Sequence, residues 1–182
     1  VVCTNVSYPR DIMVYNVSAD AYIPICTHPK DQFQPAIDGA RVVWTDSRND
    51  ATNGYDIYMY DIISKVETQI TDSAGDETHP EISGDKIAYV KEEKEVHYLC
   101  LYDLSTKTET TIATRPGWGD FPAIDGDRVV WSENVDLLNT DIFMYTISTG
   151  IITPICVNQY AQYVPSISED IIAWRDFRGS SS

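Results

Sequence analysis

Apolar residues along this chain come in short runs broken by turn signals, and nowhere recur convincingly at helical spacing. Arg41-Val42-Val43-Trp44 and Arg128-Val129-Val130-Trp131 are β-branched and aromatic, the composition of strands. Asp56-Ile57-Tyr58-Met59-Tyr60, Asp141-Ile142-Phe143-Met144-Tyr145 and Asp11-Ile12-Met13-Val14-Tyr15 are apolar on both faces, as expected of strands packed between neighbouring layers. Glu67-Thr68-Gln69-Ile70 is more polar and belongs at an outer edge. Asp38-Gly39 and Asp125-Gly126, with Ser83-Gly84 as a variant, supply the positive φ of tight hairpin turns. The pattern predicts an all-β protein.

The runs repeat on a fixed ruler. Pro35, Pro80, Pro122 and Pro165 stand 45, 42 and 43 residues apart, opening Pro-Ala-Ile-Asp-Gly, Pro-Glu-Ile-Ser-Gly, Pro-Ala-Ile-Asp-Gly and Pro-Ser-Ile-Ser-Glu. Nine residues after each comes an aromatic: Trp44, Tyr89, Trp131 and Trp174. Second aromatics stand at Tyr15, Tyr60, Tyr102 and Tyr145, and only the interval between first and second varies, so insertions collect in one loop. Each proline suits the first residue of a strand, where its missing N–H is not needed. A repeat of this length built from four short strands is the signature of a β-propeller blade. The spacing predicts one domain over residues 1–182, with blades at 35–71, 80–113 and 122–156. A fourth, composite blade pairs 165–177 with 11–26, which closes the ring and removes its free edges.

These repeats, Pro-Ala-Ile-Asp-Gly-Asp-Arg-Val-Val-Trp followed by Asp-Ile-Phe-Met-Tyr, Ser-Thr-Gly and Pro-Ile, resemble TolB-like, WD40-like propeller repeats of archaeal and bacterial cell-surface proteins. The resemblance spans essentially the whole chain. It implies interaction platforms, surface-layer components or accessory domains, since function on such a fold lies in grafted sites. The chain departs from the pattern at Tyr98, where sister blades have Asp11, Asp56 and Asp141, and at Glu169, which replaces the turn glycine.

A net charge of −15 argues against nucleic-acid or anionic-membrane partners, because the basic stripe they require is absent. Nothing approaches the apolar length of a membrane span. Asn5-Val6-Ser7 and Asn16-Val17-Ser18 are N-glycosylation sequons, and four cysteines are present. Cys3 on the N-terminal extension is placed within reach of Cys26, although sequence alone does not choose among the pairings of four cysteines. Together these point to an extracellular or cell-surface location.

Catalytic motifs are scarce. There is no Gly-x-Ser-x-Gly elbow, no phosphate loop and no His-Glu-x-x-His, so no enzyme is expected. His28, His79 and His97 fall at unrelated repeat positions and read as surface-loop residues. Asp46, Asp50 and Asp56 flank one loop and are weak calcium candidates, hard oxygen ligands without a recognised spacing. The alternative pairs Asp46 with Arg48 and Asp176 with Arg178. No other cofactor is expected. Aromatics gather on the loop face: Phe33, Trp118, Phe121, Tyr160, Tyr163 and Phe177, suited to stacking on sugars or a protein, or to packing between blades. The function expected is a non-catalytic extracellular structural or interaction protein, a propeller that self-assembles or sits in a surface layer or filament. The second expectation is a soluble binding module for glycans or peptides, using Trp118, Phe33, Tyr160, Tyr163 and Phe177.

Overall fold

The computed structural model describes residues 1–4, 9–114, 121–135 and 139–178. The sequon residue Asn5 and the aromatic candidate Trp118 lie outside them. Three four-stranded antiparallel sheets follow one another along the chain. The first is β4 (Gln32–Asp38), β5 (Arg41–Asp46), β6 (Asp56–Asp61) and β7 (Val66–Gln69). The second is β8 (Asp76–Ser83), β9 (Lys86–Glu93), β10 (Val96–Asp103) and β11 (Thr108–Thr114). The third is β12 (Ala123–Asp125), β13 (Arg128–Asn134), β14 (Thr140–Thr146) and β15 (Ile151–Cys156). No helix occurs among the described residues.

Among the described residues the expected ring is not closed. β1 (Val2–Thr4), β2 (Ile12–Asn16) and β3 (Ala21–Cys26) form a three-stranded sheet, and β16 (Gln162–Ser168) and β17 (Ile171–Asp176) a separate hairpin. The reason lies at the edge of β2. In complete blades the third strand pairs with the aromatic-bearing second strand, Trp44 opposite Tyr58 and Trp131 opposite Phe143. In the first sheet β1 takes that edge, with Cys3 opposite Met13. A strand edge accepts one partner, so β1 stands where the pairing of the two ends requires β17. The number of four-stranded blades is therefore three among the described residues, flanked by two partial ones.

By compactness the chain divides into two units, Val1–Gly84 with Lys91–Glu95, and Asp85–Val90 with Val96–Ser182. The core of the first gathers Ile12, Val14, Ile25, Val42, Trp44 and Tyr58; that of the second gathers Ala88, Leu99, Leu101, Ile112, Val129 and Trp131. Full burial of each large side chain contributes about 2 kcal/mol. The outer strands carry the polar residues, and β7 is exposed throughout.

Pro35, Pro80 and Pro165 lie inside strands, whereas Pro122 directly precedes β12, close to the expected strand start. The residues before Pro35, Pro80 and Pro165 are Gln34, His79 and Val164, all left-handed at φ 53°, 55° and 52°. The register slips between Phe33 and Ala36 and between Tyr163 and Ser166. Pro35 and Pro165 thus sit inside the first strand of their sheets at a bulge, where no ladder N–H is demanded of them.

The hairpin turns also join sheet to sheet within each unit. Asp38 accepts the Gly84 N–H at 2.6 Å while Arg41 donates to the Gly84 carbonyl at 3.0 Å. In the second unit Asp125 accepts the Glu169 N–H, and Arg128 donates to the Glu169 carbonyl at 2.9 Å. Gly39, Gly84, Gly126 and Glu169 all take φ between 52° and 56°, so the turn keeps its shape where glutamate replaces glycine.

The cysteine pairing is corrected. All four cysteines are free thiols. Cys3 in β1 and Cys26 in β3 lie on opposite sides of β2, two strand spacings or about 9–10 Å apart. A disulfide needs Cα atoms within about 7 Å. Cys26 is instead buried, accepts from the Arg48 guanidinium at 3.3 Å, and its thiol is pushed up to about 11 by burial.

Candidate functional site

In β5, β13 and β17 a tryptophan is followed two residues later by an acid, and the strand geometry puts both on one face; β9 instead has Tyr89 followed by Lys91. The indole N–H bonds that acid each time: Trp44 to Asp46 at 2.9 Å, Trp131 to Glu133 at 3.0 Å, Trp174 to Asp176 at 3.2 Å. In two blades an arginine closes the group. Arg48 gives its backbone N–H to Asp46 Oδ1 at 2.9 Å and its guanidinium to Oδ2 at 2.7 Å. Arg178 repeats this on Asp176, with both distances 2.9 Å. That pairing holds Asp176 below the usual carboxylate range and raises Arg178.

The frames differ in what fills them. Trp44, fully buried, stacks on Tyr58 of the third strand with centroids 6.2 Å apart, and Arg48 lies 3.9 Å over the same ring. Trp131 stacks on Phe143 at 5.9 Å. Trp174 is only half-buried, and among the described residues β17 pairs with β16 alone. The outer edge of β17 therefore presents Trp174, Asp176 and Arg178 set as in a complete blade, beside backbone groups not used by a second strand. Ile171 at its start is 73% exposed, whereas the equivalent Arg41 and Arg128 hold the next turn.

Three aromatic candidates gather at this hairpin. Tyr163 and Phe177 meet edge to face at 5.7 Å, with Arg175 4.7 Å over Phe177. Tyr160 is 43% exposed. Between the hairpin and the third sheet a cavity of about 230 Å³ is lined by Met144, Ile155, Ile167 and Ile172, with Arg128 and Asp170 at its polar side. Phe33 belongs elsewhere, packed on Tyr55 at 5.5 Å under the Arg10 guanidinium.

The acid candidates have separate partners. Asp46 is taken by Trp44 and Arg48, Asp50 is exposed and pairs with Lys30 at 3.3 Å, and Asp56 accepts from Asn49 at 2.8 Å and Gln69 at 3.2 Å. Among the described residues no group of three or more His, Cys, Asp or Glu is arranged to hold a metal. Asn16 is exposed at the end of β2, its Oδ1 accepting the Ala19 N–H at 3.0 Å. Two histidines expected in loops are strand residues. His97 lies in β10, and half-buried His79 lies in β8, bonded through its N–H to Gln34 at 3.0 Å. Burial pushes the His79 imidazole down to about 4. The Trp-x-Asp-x-Arg spacing at 44–48 and 174–178 was the readable signal for the frame; that one frame is filled and the other open was not.

Solved structures sharing this arrangement of sheets show a TolB-like β-propeller fold. The chain is similar to TolB from Acinetobacter baumannii, with a TM-score of 0.74 and 15% identity over 98% of this chain and 47% of that one. It is similar to a chain of a nidogen/laminin complex, TM-score 0.69 and 11% identity over 96% and 66%. It also resembles the β-propeller domain of the Trilobed protease from Pyrococcus furiosus, described as having an open velcro topology, TM-score 0.55 and 13% identity over 97% and 73%. The chain thus spans about half the length of the TolB it matches. No family model and no curated protein matches its sequence.

Proposed function

We propose that this chain is a non-catalytic interaction protein of the cell surface whose β16–β17 hairpin takes up a strand from a second copy, building a surface layer or filament. One observation carries the reading: Trp174, Asp176 and Arg178 are set along the edge of β17 as their equivalents are where a third strand is bound. An edge of that kind recruits a strand through its backbone groups, while side-chain pockets choose which strand. The exposed sequon at Asn16 and the likeness to a nidogen/laminin chain support an extracellular setting and a protein partner. The reading invokes no cofactor.

Light scattering across a dilution series tests it. Concentration-dependent multimers are expected, and Trp174→Ala should weaken association about thirtyfold, since truncating a buried interfacial aromatic costs about 2 kcal/mol. A compact 20.5 kDa monomer at every concentration would sink the proposal. The second reading, a glycan- or peptide-binding module, rests on exposed Tyr160 beside the Tyr163–Phe177 pair. It predicts that Tyr160→Ala abolishes binding on a glycan array while leaving the association state unchanged.

A further inference from the structure

Away from the hairpin, the first unit buries two carboxyl groups whose oxygens go unpartnered. Asp56 opens β6 and Glu77 lies in β8, both fully inaccessible to solvent. One backbone bond and one side-chain bond bring these strand starts together: the Glu77 N–H donates to the Tyr55 carbonyl at 2.7 Å, and the Tyr55 N–H to Asp76 Oδ1 at 2.9 Å. The preceding repeat makes the same stitch with the Gln32 N–H on the Arg10 carbonyl at 2.9 Å and the Arg10 N–H on Asp31 at 2.7 Å. Glu77 therefore occupies the place of Gln32, and the last repeat has Gln162 there, likewise fully buried. Two of three equivalent buried positions hold a neutral carboxamide.

One oxygen of each acid is satisfied. Asp56 Oδ2 accepts from Asn49 and Gln69, and Glu77 Oε1 bonds the Ser73 hydroxyl. Among the described residues, Asp56 Oδ1 and Glu77 Oε2 have no donor. The Asp56 and Glu77 side chains interact, and two buried carboxylates so placed repel and forfeit solvation, a cost that one proton removes.

We propose that Glu77 is held as the neutral acid and donates its proton to Asp56, so that one shared proton cross-links the β4–β7 blade to β8. The pair carries a charge of −1 when bridged. On deprotonation the proton passes to solvent, the charge becomes −2, and the bridge becomes a repulsion. Glutamine at 32 and 162 shows that this buried position accommodates a neutral side chain, there donating to the Lys30 and Tyr160 carbonyls.

Burial first, then the nearby Asp56 charge, push the Glu77 carboxyl up to about 7, against bonds from Ser73 and Thr71 and the attraction of Lys91. Burial also raises Asp56, with the Asp72 and Asp46 charges adding to it, while Asn49 and Glu77 oppose it. Arg48 does not relieve the pair, being committed to Asp46 and Glu67. Because the folded Glu77 keeps its proton where the unfolded one has lost it, the stabilisation is complete below the usual glutamate range. It is lost progressively as pH rises to about 7.

The test combines thermal unfolding from pH 4 to 9 with a carboxyl-carbon NMR titration of the wild-type chain. Glu77 should titrate near neutral pH, and the midpoint temperature should fall across that window. Glu77→Gln should flatten the fall while unfolding at least as high at alkaline pH. An ordinary carboxylate titration of Glu77, or the same pH profile in Glu77→Gln, overturns the proposal. So does stabilisation of the wild type by added calcium that Glu77→Gln abolishes, which would put a cation in place of the proton. The NMR titration decides the matter on wild-type protein alone should the variant not fold.

Discussion

At the scale of single residues, the two arginine frames offer a controlled comparison. Arg48 is mostly buried, bonded to a fully buried Asp46 and to Glu67, and stacked over Tyr58. Removing it leaves Asp46 with an uncompensated charge, so Arg48→Ala should cost about 3 kcal/mol in urea unfolding. Arg178 makes the equivalent bonds on the open hairpin, where solvent competes for both partners. Arg178→Ala should leave the unfolding midpoint of the dilute protein nearly unchanged while weakening association. Equal losses from both substitutions would show that the second frame is already filled. The residue pattern made Trp44, Trp131 and the Asp–Arg pairs legible, since indole, acid and arginine recur at the same offsets. Glu77 was not legible, because a glutamate in a sequence carries no mark of being buried or of standing where its sister repeats place glutamine.

At the scale of the element, the hairpin turn sets a second expectation. Glu169 adopts φ 52°, a left-handed conformation costing a β-carbon-bearing residue about 1 kcal/mol. Its bonds to Asp125 and Arg128 use only its backbone, so glycine would retain them. Glu169→Gly should therefore raise stability by about 0.5–1 kcal/mol, the relief of strain exceeding the entropy of the added glycine. A chemical-denaturation midpoint that falls instead would mean the side chain has a role of its own. Strand identity and turn positions could be read directly from the sequence, because alternation and Asp-Gly pairs are local signals. The first strand was misplaced by a few residues. Pro35 and Pro165 do not mark its start, because the left-handed residue before each allows the strand to continue through a bulge.

At the scale of the whole molecule, charge governs association. A chain of net charge −15 repels its copies at long range, and salt shortens that reach to about 8 Å at physiological strength. Self-association through β17 should accordingly strengthen as salt rises from low to physiological concentration, measured by sedimentation of the untagged protein. Weakening with salt would point to a basic partner surface instead of a second copy.

The repeat, the blade, its four strands and its all-β class followed from the sequence alone, because each rests on spacing and local preference. Only the tertiary structure decided which strand occupies the edge of β2. Either β1 or an aromatic-bearing second strand fits there, and both satisfy the same backbone groups. It likewise decided the cysteines, since β2 separates Cys3 from Cys26, and it brought Glu77 against Asp56. Those outcomes depend on competition for one edge and on packing between strands distant in sequence, neither of which local periodicity records.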